Sequence, residues 1–194
     1  MPTVIQTHIS RIQMAVQQVF AQLDAWFQAP AEVCHFRPAS GGWTIDEILE
    51  HTALTNHFLL VLIEKGAAKA LRNAGGLHLQ EELATYSFKQ TKLDEVGLHQ
   101  YFPWMRPNHM EPTGTKPSAE VQTQLHQQRK QCEQVLARLP NGEGVFYRTT
   151  MSVNELGKLE VYEYVYFLAK HAERHLMQIA KTAAEYHHQA TQPT

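Results

Sequence analysis

Between Thr3 and Gln28 the apolar residues Ile5, Ile9, Ile12, Val16, Val19, Phe20, Leu23, Trp26 and Phe27 recur every three or four positions. That spacing gathers them on one side of an α-helix and scatters them over both faces of a strand, so the segment buries its apolar side only as a helix lying against others. It stops at Pro30. Three more stretches repeat the pattern. Thr44-Ile45-Asp46-Glu47 is a capping box, in which the Thr side chain accepts a backbone N–H and the Glu three residues on answers it. The helix begun there runs through Ile48, Leu49, Leu54, Phe58, Leu59 and Leu62 to about residue 72, ahead of Gly75-Gly76. A third starts at Pro117-Ser118, carries Val121, Leu125, Cys132, Val135, Leu136 and Leu139, and ends at Pro140-Asn141-Gly142. The fourth covers about Leu159 to His188 and includes Tyr162, Val165, Tyr166, Leu168, Leu176 and Ile179.

No segment alternates strictly, so the predicted class is all-α, a four-helix bundle without a sheet; VFYRTT (145–150) is the best extended candidate. VCHFRPASGGW (33–43) reads as irregular, broken by Pro38 and Gly41-Gly42. Residues 73–117 form a long crossover connection between helices two and three, with a short helix expected near 79–89. A connection of that length inside a compact domain is uncommon and often functional. Within it YFPWMRP (101–107) clusters aromatics with an arginine, suited to a lid, a dimer interface or the cover of an apolar patch. The chain, 1–194, reads as one domain with 73–117 as an irregular insertion.

A net charge of −2 supplies no electrostatic footprint for nucleic acid or an anionic membrane. No apolar run approaches the roughly 18 residues of a membrane span, and the first residues lack the basic and apolar regions of a secretory signal. Cys34 and Cys132, far apart and without an activating neighbour, read as partly buried structural thiols of a soluble protein in a reducing cytoplasm.

The candidate chemistry lies in histidines. His171 and His175 stand four apart in HAERHLMQI, on one face of a helix and roughly 6 Å from each other. With 12 His among 194 residues, roughly 0.7 such pairs are expected by chance, so the spacing alone decides nothing. A third ligand from a facing helix makes the difference, because catalytic sites usually take three protein ligands and leave one position open. His51 shares the inward side of helix two with Ile48, Leu49, Leu54, Thr55 and Phe58. His171 and His175 share theirs with Tyr164, Phe167, Leu168, Gln178 and Ile179. One inward His is usually a core residue with its hydrogen bonds satisfied; three on two helices would need several polar partners, or an ion.

Gly42-Trp43-Thr44, Glu47-Ile48-Leu49 and His51, paired downstream with His171-x-x-x-His175 and Gln178, resemble the DinB-like superfamily of metal-binding four-helix bundles. The likeness covers most of the chain. It implies a metal triad of His51, His171 and His175, a divalent ion such as zinc or nickel, and a homodimer. It also implies kinship with thiol S-transferases that use a low-molecular-weight thiol, and with metal-dependent hydrolases. The long 73–117 insertion and its histidines depart from the family pattern and leave the small-molecule substrate open. The alternative is a non-catalytic protein, a metal-stabilised homodimer or a sensor.

Glu47 is a candidate base or orienting group, set against its capping role. Gln178 is a candidate hydrogen-bonder of a ligand or substrate. Glu173 is expected on the solvated face, and His57 points too far around its helix to join His51. His187 and His188 suit the negative end of the last helix dipole. His78, His99 and His109 are expected at the surface of the insertion.

Overall fold

In the first helix, α1 (Val4–Ala25), the stripe from Ile5 to Leu23 is buried, and Thr3 and Gln6 form a reciprocal cap at its start. It ends earlier than the spacing suggests, because Trp26–Gln28 tighten into a 3-10 turn ahead of Pro30. A short helix, α2 (Ala31–Cys34), occupies the front of the stretch expected to be irregular. The computed structural model describes residues 3–75, 78–98 and 107–191. α3 (Ile45–Ala74) begins on the expected capping box. α6 (Ser118–Arg138) and α7 (Val161–Ala190) complete a ring in which α1 packs on α7, α7 on α3, α3 on α6 and α6 on α1. The chain is thus an all-α bundle of four long helices.

The expectation of no sheet is corrected. β1 (Arg148–Met151) and β2 (Gly157–Glu160) pair antiparallel, with Thr149 opposite Leu159. Each strand is only 4 residues long, too short to display an alternation. The second strand also moves the start of the last helix from about Leu159 to Val161.

Side-chain contacts give the helix directions. Gln128 donates to the Ala53 carbonyl at 2.7 Å and Arg138 pairs with Glu64 at 2.5 Å, so α3 and α6 run parallel. Asp24, late in α1, accepts from Gln122, early in α6, which sets those two antiparallel. Gly66 lies against Val161 while His51 lies against His175, so α7 runs opposite to α3. The order is up, down, down, up.

Because α3 and α6 are parallel, the connection between them must return along the whole bundle. It does so beside α7. The single helix expected near 79–89 is instead two, α4 (Leu79–Ala84) and α5 (Gln90–Val96). They are parted because the chain between them docks on the start of α7: Tyr86 donates to Glu160 at 2.9 Å and the Lys89 N–H to Glu163 at 2.9 Å. Further along, Tyr166 donates to Asp94 and Arg174 to the Leu98 carbonyl. The YFPWMRP segment, apart from Pro107, lies outside the described residues, as does His99.

Glu160 caps α7, accepting from the Tyr162 and Glu163 N–H groups, yet it is fully buried. Burial first, and then the neighbouring Glu163 carboxylate, push it up to about 8. The folded state therefore holds a proton that the unfolded chain releases near pH 4.3. The stability this contributes is complete below that pH and is lost as pH rises through about 8. Thermal melts between about pH 5 and 9 should show a smaller decline in Glu160→Gln than in the wild type.

A second test concerns Gly144, where an added Cβ would stand 2.6 Å from the Tyr162 ring. That ring cannot yield, being buried on all sides and anchored by its hydroxyl to the Leu139 carbonyl. Gly144→Ala should lower stability by about 1–3 kcal/mol in denaturant titrations.

Candidate metal centre

His51 is set early in α3 by the cap that starts the helix, and His171 and His175 lie midway along α7. The antiparallel crossing brings the three together. Each is at least 95 % buried, and their ligand nitrogens lie within 4.8 Å of one another. The Trp43 ring leans on His51 at 4.7 Å, and Phe167 stacks along His171 at 6.3 Å. The Trp one position before the Thr cap thus supplies an apolar wall for the histidine two turns later.

Hydrogen bonds choose the tautomers. The His51 Nδ1 stands 2.6 Å from the Met110 carbonyl, which can only accept, so the proton is on Nδ1 and Nε2 keeps its lone pair. The His175 Nδ1 stands 3.1 Å from the Gln178 Oε1, with the same result. The His175 Nε2 then faces the His171 Nε2 at 3.1 Å. Two lone pairs cannot share that gap; it takes either the His171 proton or a cation. Zinc–nitrogen bonds of about 2.0–2.1 Å place tetrahedral ligands about 3.3 Å apart, which this edge of the cluster already matches. Burial, then the neighbouring His175, His51 and Arg174, hold His171 well below the usual histidine range, in the neutral form a metal requires. The residues fit a divalent ion.

The other candidates separate. Glu47 is occupied as a cap, bonded to the Thr44 N–H at 2.8 Å and to Arg37 at 2.6 Å. Burial pushes its carboxyl up, but the Arg37 and Thr44 bonds outweigh that and hold it below the usual carboxylate range. It is no base. Gln178 is half-buried and bonds a cluster histidine directly. Glu173 is half exposed and pairs with Lys170, His57 is exposed, and His187 and His188 lie exposed in the last turn of α7. His78 is exposed; His109 is exposed too, with its ring edge-on to Phe58 at 4.7 Å. Cys34 and Cys132 are buried, and burial raises both thiols, Cys132 to about 12.

Thr55 is buried as its spacing indicates, Leu54 and Phe58 are only half-buried, and Thr52 and Asn56 join the buried face of α3. A buried carboxylate also went unread in the sequence. Glu50, next to His51, accepts from the Thr113 N–H at 3.0 Å, the Thr113 hydroxyl at 2.7 Å and the Gly114 N–H at 2.9 Å. Its partners lie more than sixty residues away, so no local pattern announces it.

Against this geometry, the family model of the DinB superfamily matches residues 8–179. No curated protein and no solved structure matches the chain.

The depressed His171 has a measurable consequence. The unfolded chain takes up a proton near pH 6.5 that the folded state refuses. The associated stability is present above about pH 6.5 and is lost as pH falls below it. In the presence of a chelator, the melting temperature should drop between about pH 7.5 and 5.5, and His171→Gln should drop less.

Proposed function

The chain belongs to the DinB superfamily, and on that premise we propose that it binds one divalent metal ion through His51, His171 and His175 and uses it on a small molecule. The observation that carries the reading is the burial, in one cluster, of three imidazoles with two nitrogens held in the lone-pair form by Met110 and Gln178. Buried polar groups are held by hydrogen bonds or by an ion, and three converging imidazole nitrogens are a donor set suited to an ion. Imidazole donors suit zinc or nickel.

Three neutral ligands leave the bound ion its full double charge, which lowers the pKa of a bound water or holds a thiol as thiolate. The chain's own residues then have two tasks. Met110 and Gln178 keep the imidazoles deprotonated toward the ion, and Trp43 and Phe167 limit water around them. We place transfer from a low-molecular-weight thiol to an electrophile ahead of hydrolysis, following the family kinship. The reading includes one domain over 1–194, a homodimer and a cytoplasmic location. The buried thiols suit a reducing compartment, and no described helix is long and apolar enough to cross a membrane.

One observation favours a second reading, a non-catalytic metal-stabilised homodimer or sensor. Among the described residues, Glu47 is committed to Arg37 and the helix cap, and Gln178 does not titrate. Neither of these two candidates offers a ready acid or base beside the cluster.

Protein purified without a histidine tag should contain about one metal ion per chain and melt at a higher temperature when loaded. His51→Ala should bind the ion more than about 100-fold less tightly, beyond what losing an outer contact costs. Metal analysis and chelator competition check both, and an ion-free wild type that takes up none ends the metal reading. Thiols with electrophiles, tested beside esters and amides, separate transfer from hydrolysis. A loaded protein with no turnover on either panel supports the second reading.

A further inference from the structure

Glu50 and His51 are adjacent on α3, and the same strap of chain reaches both. The Met110 carbonyl accepts from His51, and Thr113 and Gly114 donate three hydrogen bonds to the Glu50 carboxylate. Between the two attachments Glu111 adopts extended backbone at φ −73 and ψ 135. So few residues separate them that Met110 cannot leave His51 without disturbing the turn on Glu50. Gly114 makes that turn possible. Its φ of +68 is in the left-handed region, and a Cβ there would stand 3.0 Å from the Glu47 carboxylate.

A carboxylate that takes three donors, two of them backbone N–H groups, is a strong anchor. Glu50 is 7 % exposed, which shields those bonds from competing water. Fastening the strap costs His51 nothing, since the bond uses Nδ1 and leaves Nε2 facing the cluster. Second contacts of this kind fix the tautomer and ring orientation of a metal ligand.

We infer that Glu50 is a positioning residue for the metal centre: by anchoring Thr113 and Gly114 it holds the Met110 carbonyl on His51 and so keeps the proton on Nδ1 and the Nε2 lone pair turned to the ion. The inference rests on the metal reading above. Glu50 itself touches none of the three imidazoles through a hydrogen bond and is not a ligand.

The test uses two substitutions that attack the anchor from opposite sides. Glu50→Gln keeps the shape but offers an NH2 where the strap also donates. Gly114→Ala keeps the Glu50 charge and forces the turn away by strain and by its clash with Glu47. Nitrogen-15 spectra of metal-free protein report the His51 tautomer, and competition with a chelating dye reports zinc affinity. Both variants should show His51 shared between tautomers and zinc bound about 10–100-fold more weakly. The double variant should be no weaker than the weaker single, because both break one linkage. An unchanged tautomer, or affinity within about twofold of wild type in both variants, overturns the inference. Weak binding in Glu50→Gln alone overturns it as well, in favour of simple charge. If the wild type takes up no zinc, the metal reading falls and this inference with it, an outcome distinct from a loaded wild type with indifferent variants.

Discussion

Two neighbouring helices that run the same way cannot be joined by a short turn. Here they are α3 and α6, and much of the rest follows from that pairing. The chain leaving α3 stands at the wrong end of the bundle and must travel back before α6 can begin. It travels along α7, first on the buried Glu160–Glu163 cap, then on Tyr166, Lys170 and Arg174. When it reaches the other end it lies over the start of α3, where His51 is. The insertion is therefore not an ornament on the bundle. It is the path that topology requires, and it passes the place where three imidazoles converge in the core.

That path explains why the cluster is so well enclosed. α3 and α7 alone bring the three imidazoles together, but they leave the Nδ1 side of His51 open. The returning chain closes it with a backbone carbonyl. On α7 the equivalent service to His175 is performed locally by Gln178, one turn on. The two histidines are thus oriented by different means, one by sequence neighbours and one by a partner more than fifty residues away. Trp43 contributes from before the helix. Enclosure and orientation are the properties a metal ligand set needs, and both come from outside the three residues themselves.

The elements that follow from periodic spacing are legible in the chain. Ile5 to Leu23 and Tyr162 to Ile179 bury the faces their spacing indicates, because a long helix has many residues voting for one side; in α3 Ile48, Leu49 and Leu59 do so too, but Leu54 and Phe58 are half-buried and Leu62 is exposed. The capping box at Thr44 and the inward placement of His51, His171 and His175 are legible for the same reason. What escapes is whatever depends on distant pairing. β1 and β2 are stabilised by each other rather than by an internal pattern, and each offers too few residues to show one. The break between α4 and α5 comes from docking on α7, which nothing in 79–89 announces. Glu50 looks like any exposed glutamate on a helix until the turn at Thr113 and Gly114 is laid against it.

The amide of Gln128 has a consequence beyond the direction it reveals. It is buried and donates to the carbonyl of Ala53, while Gln124, one turn earlier, reaches the same oxygen at 3.2 Å. Apolar side chains tolerate sliding, since one leucine serves much like the next. A buried amide does not. Moving α6 by a single turn, about 5.4 Å, would carry Gln128 off its acceptor and leave a buried amide without that bond. The two glutamines together fix the offset of the parallel helices, since a slip of one turn in either direction takes at least one of them off the shared carbonyl.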